Sequence, residues 1–113
     1  MSPDDRIRLQ HMVDAITTAS RFVEGRKRSD LEEDQMLVFA LVRAIEIIGE
    51  AASKLSSESR AEFPSVPWSN IVGMRNRLVH AYFDVDLDIL WNTVTQALPP
   101  LRAQIGEVLE KPA

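Results

Sequence analysis

Met36-Leu37-Val38-Phe39-Ala40-Leu41-Val42-Arg43-Ala44-Ile45-Glu46-Ile47-Ile48 is the stretch that decides the fold. Leu37, Leu41, Ala44 and Ile48 recur at helical spacing, and Ala51 and Leu55 extend the row. Val38, Val42, Ile45 and Ala52 flank it, so the apolar arc is wider than a single neighbouring helix covers. Arg43 and Glu46 interrupt the run and argue against a membrane span. The reading is a long amphipathic helix, opened by Ser29-Asp30-Leu31-Glu32 with capping-box spacing and ending near Ser56. In a chain of 113 residues a partner subunit is an expected cover for so broad a face.

Helical periodicity continues on both sides. Upstream, Leu9, Met12, Val13, Ile16, Ala19 and Val23 share a face behind acidic Asp4 and Asp5, and Gly25 stops that helix. Arg26-Lys27-Arg28 reads as a solvated connection, with tracking of RNA as the minority reading. Downstream, Ser56 to Pro67 is rich in turn formers, with room for one helical turn at Ser59–Phe63. Pro67 suits the first position of a third helix continued by Trp68, Ile71, Val72, Arg75, Leu78 and Val79. Asp84, Val85 and Asp86 form the next connection and contain the cap candidates. A fourth helix carries Leu87, Leu90, Trp91, Val94 and Leu98, and Pro99-Pro100 is expected to end or sharply bend it before a last stretch through Leu109. The expectation is one all-α domain over residues 1–113. It is an up-and-down bundle of four main helices plus a Pro-broken C-terminal helical segment.

Composition narrows the functional classes. The chain has no cysteine, which excludes disulfides and thiolate metal sites and is compatible with a reducing cytoplasm. Met1-Ser2-Pro3-Asp4-Asp5 lacks the basic and apolar regions of a signal peptide, and a cytoplasmic, membrane-free protein is expected. A net charge of −4 argues against a protein that coats nucleic acid nonspecifically, while leaving room for a local basic site.

Such a site is offered by Arg75-Asn76-Arg77-Leu78-Val79-His80-Ala81-Tyr82. An arginine holds phosphate through forked, charge-assisted hydrogen bonds, and a histidine moves protons near neutral pH. These are the minimal parts for cleaving a phosphodiester without a metal. On an uninterrupted helix Arg75 and His80 stand roughly 140° apart, whereas Asn76 and His80, four apart, share a face. Bringing Arg75 to His80 therefore needs arginine reach, a helix end near His80, or a second copy of the segment across a two-fold axis. The dimer is favoured because it also covers the broad second helix.

The arginine–four residues–histidine–any–tyrosine pattern at Arg75, His80 and Tyr82 resembles the signature of HepT-like toxins of the HEPN ribonuclease superfamily. Arg43-Ala44-Ile45-Glu46-Ile47-Ile48-Gly49-Glu50-Ala51 is similar to that family's second-helix pattern. Pro67-Trp68, Gly73-Met74-Arg75-Asn76, Phe83-Asp84-Val85-Asp86, Trp91 and Leu98-Pro99 also follow the family's order, so the resemblance spans most of residues 5 to 110. It implies a HEPN-like fold and a homodimeric, metal-independent endoribonuclease without cofactors. The implied role is that of a toxin in a toxin–antitoxin pair. The implied antitoxin is an MntA-like minimal nucleotidyltransferase that adenylylates Tyr82.

Under the same resemblance His80 is general acid or base, Arg75 stabilises charge on the phosphoryl oxygens, and Asn76 fixes the imidazole or binds phosphate. Structural readings compete with each role. A lone histidine near a helix end is commonly structural, Arg75 can pair with an acidic neighbour, and Asn76 can bond backbone. Tyr82 can be a half-buried core aromatic. Arg77, two residues from Arg75, points elsewhere and is a solvated cation or an RNA-backbone contact. Arg43, Glu46 and Glu50 read as a salt-bridge set with the dimer contact as a candidate place. A role for Arg43 and Glu46 in steadying Arg75 is the minority reading. The alternative for the whole chain is a non-catalytic helical adaptor or regulatory subunit that binds a nucleotidyltransferase or a nucleotide.

Overall fold

The computed structural model describes residues 1–79 and 84–111. Ser2 accepts a hydrogen bond from the amide of Asp5 at 3.1 Å and starts α1 (Pro3–Phe22), with Pro3 in the first turn where its missing donor is harmless. The turn after α1 passes through Gly25 at φ +71°, a conformation that side chains with a Cβ resist.

The second long helix starts later than the capping-box pattern predicts. A single turn, α2 (Asp30–Glu33), is followed by a break at Asp34, whose carboxylate accepts from the Leu37 amide at 3.0 Å and caps α3 (Gln35–Ser53). Ser29 has helical dihedrals and makes no side-chain cap. Asp34 displaces it because an aspartate can cap α3 and bind an arginine together. The Arg26 guanidinium lies 2.8 Å from Asp34 and 3.3 Å from Asp30; it holds the Asp34 carboxyl below its usual range, while the Lys27 amide, with Arg26 adding to it, does the same for Asp30. Arg28 joins Glu32 at 3.1 Å to Asp88 at 2.7 Å. The expected solvated Arg26-Lys27-Arg28 loop is thus tied down through its two arginines.

Short α4 (Ser57–Glu62) precedes α5 (Trp68–Leu78), with Pro67 one position before the helix rather than in it. Asp86 accepts from the Ile89 amide at 3.0 Å and caps α6 (Leu87–Asn92). Pro99-Pro100 neither ends nor breaks the helix that follows. The chain stays helical through a π segment, Thr93–Ala97, into α7 (Leu98–Glu110), so the expected Pro-broken C-terminal segment is continuous with the fourth helix. In an α turn the rings of Pro99 and Pro100 would strike the carbonyls of Thr95 and Gln96. The wider turn, in which the Leu98 amide donates to the Thr93 carbonyl, relieves that conflict.

The result is the expected all-α, HEPN-like up-and-down bundle. Helix α1 packs on α3 and α7, and α3 packs on α5. Leu9, Met12 and Ile16 of α1 meet Leu41, Ile45 and Ile48 of α3 in a fully buried core with Leu98 and Ile105 of α7. Every apolar α3 position singled out in the sequence, from Leu37 to Ala52, is buried. Its breadth is explained within the chain, because α1 covers one flank and α5 the other. What α3 leaves exposed is narrower, with Met36 and Phe39 the large apolar residues on it. Among the described residues no helix is long and apolar enough to cross a membrane.

A buried acid closes one end of the bundle. Asp5 accepts from the hydroxyls of Ser59 at 2.6 Å and Ser56 at 2.7 Å, tying the start of α1 to the cap of α4. These bonds, Ser59 foremost, together with the Ser56 amide and Arg8, outweigh the opposing effect of burial. They hold the Asp5 carboxyl at about 2 against an ordinary 3.8. A depressed carboxyl contributes stability fully above its unfolded pKa and loses it as pH falls through the folded one. Wild-type stability in urea melts is therefore expected to drop between about pH 4 and pH 2. Asp5→Ala should lower it by about 2–3 kcal/mol at pH 7 and flatten this acid limb.

Candidate active site

Trp68, Ile71, Met74 and Leu78 are buried at helical spacing and fix which face of α5 meets α3. The opposite face carries Arg75, Asn76 and Arg77, all exposed. The two helices approach closely at Gly49, where an added Cβ would stand 3.4 Å from the Val72 carbonyl and 3.5 Å from that of Ile71. The helices run antiparallel, so three residues back along α3 and three forward along α5 bring Glu46 to Arg75. Arg75 Nε lies 3.7 Å from Glu46 Oε2, with both side chains partly open to water.

Arg75 and Asn76 line one wall of an open cavity of about 280 Å³, and Glu46, Gly49 and Glu50 line the other. Glu50 faces a second arginine, Arg43, at 3.5 Å. Arg75 is thus brought to Glu46 and set beside Asn76, joining the motif to the polar residues of α3. Arg77 is not part of this group. Its Nη2 donates to the Asn70 carbonyl at 2.9 Å, along α5 and away from the cavity.

Helix α5 stops at Leu78, and Val79 is extended at φ −112°, ψ 117°. Val79 pairs with Val85 in an isolated antiparallel bridge, and the Asp86 amide donates to the Leu78 carbonyl at 2.8 Å. Helix α5 thus ends before His80, and the expected helical face shared by Asn76 and His80 falls outside the described residues. Of the conditions for bringing Arg75 to His80, a helix end close before His80 is met. His80 and Tyr82 themselves lie outside the described residues.

Sequence reasoning gave Gly49 and Val72 no part in the site, although both line the cavity where the two walls come together. The signal was a glycine inside an otherwise apolar helical pattern, a common mark of close backbone approach. His11 is exposed on α1.

The family profile described as Ribonuclease HepT-like matches residues 12–108. The chain belongs to the HepT-like ribonuclease family. A protein of Caldanaerobacter subterraneus subsp. tengcongensis, named a putative RNase, is 39% identical over 103 residues, which are 91% of this chain and 92% of that one. A Thermococcus cleftensis protein named probable ribonuclease HepT is 35% identical over 100 residues, 88% of this chain and 91% of its own. A Methanocaldococcus jannaschii protein, also named a putative RNase, is 36% identical over 97 residues, 83% of this chain and 89% of that one. No solved structure matches significantly. The HepT-like profile thus covers the core of α1, the whole α3–α5 contact and Arg75.

Exposure makes this wall separable from folding. Arg75→Ala should change stability by less than about 1 kcal/mol, because a partly solvated pair contributes little. Gly49→Val should cost about 1–3 kcal/mol by forcing α5 off α3. Chemical denaturation of the two variants checks both.

Proposed function

We propose that this HepT-family protein is an endoribonuclease toxin that cleaves RNA without a metal at a composite Arg/His site in a homodimer. The observation that supports it best is Arg75 standing half-exposed beside Asn76 on an open cavity, just before the chain leaves α5 toward His80. A cation that served only to brace the fold would be packed or doubly bonded. Among the described residues Arg75 instead has one ion-pair partner, Glu46, at the long distance of 3.7 Å. Such a pair contributes under about 1 kcal/mol and exchanges readily for phosphate.

In this mechanism the ribose 2′-oxygen attacks phosphorus and the bond to the leaving 5′-oxygen breaks, giving a cyclic phosphate and a free 5′-hydroxyl. His80 either takes the proton from the 2′-hydroxyl or gives one to the 5′-oxygen. Arg75 offsets the charge that builds on the non-bridging oxygens. Asn76, on the same cavity wall, binds phosphate. Glu46 holds the guanidinium over the cavity until RNA arrives, and Arg43 restrains Glu50 beside it. Arg77, turned back on α5, reaches at most the RNA backbone outside the cavity. Dependence on the 2′-hydroxyl restricts cleavage to RNA.

The proposed antitoxin is an MntA-like minimal nucleotidyltransferase that transfers AMP to Tyr82. The Tyr82 hydroxyl oxygen would attack the α-phosphorus of ATP, releasing pyrophosphate and leaving an aryl phosphodiester. An AMP group two residues from His80 would block the site and repel the RNA backbone.

Purified protein should cleave RNA in the presence of chelator. Arg75→Ala and His80→Ala should each lose about 10²–10⁴-fold in rate while remaining folded dimers. A dimeric, unmodified wild type that leaves RNA intact would overturn this reading in favour of the adaptor that binds a nucleotidyltransferase. Incubation with the nucleotidyltransferase and ATP should add the mass of AMP to wild type and not to Tyr82→Phe. Equal labelling of the two would remove Tyr82 from the proposal.

A further inference from the structure

Two grooves meet at Glu50. One is the cavity of Arg75 and Asn76, between α3 and α5. The other, of about 320 Å³, lies between α3 and the first turns of α1, and Glu50 lines both. Its apolar lining is Ile7 of α1, 54% exposed, with Ile47 and Ala51 of α3. Its polar lining includes Asp4, His11, Glu50 and Lys54, all exposed. Among the described residues the side chains of Asp4, His11 and Lys54 make no hydrogen bond or ion pair, and Glu50 has only Arg43, at 3.5 Å. Arg8, the other cation there, is held by Asp5 at 3.2 Å. Unpaired polar groups converging on apolar surface contribute nothing to holding the bundle together.

The mixture of charges selects the occupant. A phosphate would meet the carboxylates of Asp4 and Glu50 as well as the ammonium of Lys54, so an anion is poorly served. A flat, uncharged ring suits the groove, with apolar surface for its faces and polar groups for its edge. Glu50 and Lys54, four residues apart, share a face of α3 about 6 Å apart along its axis. They set a carboxylate, which accepts two hydrogen bonds, beside a donor. Guanine carries the complementary edge. Its N1–H and N2–H donate side by side to one carboxylate, and its O6 and N7 accept from a cation. Adenine and cytosine offer an amine without a neighbouring ring N–H, and uracil a ring N–H without the amine.

We infer that this groove holds an unstacked guanine of the RNA strand whose phosphate reaches Arg75. Glu50 accepts from N1 and N2 of the base, Lys54 donates to O6, and the His11 ring lies against its face. Arg43 releases Glu50 at small cost, because the pair is long and both side chains are more than half exposed. Glu46, beside Arg75, and Lys54 are eight residues, or about 12 Å, apart along α3, so one strand crosses both grooves over Glu50. Single-stranded RNA is read in this manner, by splayed bases held on their hydrogen-bonding edges and stacked on ring side chains. The part the groove plays in choosing where RNA is cut rests on the ribonuclease reading above, whereas the base preference rests on the groove.

Base substitution in the RNA tests the groove. Binding is followed by fluorescence anisotropy on full-length His80→Ala, so that the RNA stays uncut. An oligouridylate carrying one guanosine should bind at least about fivefold more tightly than plain oligouridylate. Inosine, which lacks the N2 amine, should forfeit most of that gain. Glu50→Gln and Lys54→Gln should each bring the guanosine preference close to nothing, with circular dichroism unchanged because both side chains are exposed. The amide that replaces Glu50 offers one acceptor where guanine needs two. Wild type should cut the guanosine oligomer at a fixed step from the guanosine. Equal binding of the guanosine, inosine and uridine oligomers, or a preference that survives both substitutions, would overturn the inference. Competition by free GMP as strong as that of the guanosine oligomer would overturn it too, since the occupant would then be a free nucleotide. Guanosine-dependent binding with RNA left intact by wild type would uphold the groove and remove the ribonuclease reading. Cleavage by wild type without guanosine-dependent binding would remove the groove and leave that reading standing.

Discussion

The approach of α5 to α3 at Gly49 is the constraint on which the candidate site depends. With no side chain there, the carbonyls of Ile71 and Val72 come within ordinary contact of where a Cβ would sit. That closeness lets a glutamate on one helix meet an arginine on the other one turn away. A wider gap would leave Glu46 and Arg75 on separate surfaces with water between them. The buried row of Trp68, Ile71, Met74 and Leu78 fixes the rotation of α5 against α3. Rotation and distance together place Arg75 and Asn76 at the edge of the cavity, so core packing sets the geometry of a polar surface.

Much of the bundle is legible in the sequence because helical periodicity reports burial directly. The row from Leu37 to Ala52 predicts which residues of α3 enter the core, and the structure buries all of them. Its breadth has a simpler cause than the partner subunit it suggested, since α1 and α5 take one flank each. Local signals fared less well where tertiary partners compete. Ser29 has the spacing of a cap, but Asp34 caps α3 because Arg26 rewards a carboxylate there. Pro99-Pro100 reads as a break, yet the helix has an alternative to stopping in a π turn that moves the conflicting carbonyls aside. A pattern rule sees the missing donors and not this escape.

The site divides in the same way. Residue types name its chemistry, and Arg75 beside Asn76 needs only the face of one helix. The meeting of Arg75 with Glu46 joins positions 29 apart in sequence and depends on the antiparallel register of α3 and α5, which periodicity does not supply. The helical wheel also misleads at the end of α5. It assumes a helix through His80, but Val79 turns extended and pairs with Val85. Angles counted past Leu78 have no meaning.

Electrostatics then explains how an acidic chain could present the phosphate site proposed for it. With a net charge of −4 the chain offers no overall attraction for RNA, so the proposed binding would have to come from nearby groups. Arg75 and Arg77 lie in the last turn of α5, where the helix dipole favours cations, so their placement assists the fold before any ligand is present. Glu46 and Glu50 temper the positive charge of Arg75 and Arg43 through loose, solvated pairs that exchange at small cost. Tight buried pairs in the same places would have sealed the cavity and left the cations unavailable. A guanidinium held weakly over an open cavity is oriented by the protein while still free to accept a phosphate. That balance suits a site whose affinity comes from a few close contacts instead of a basic surface.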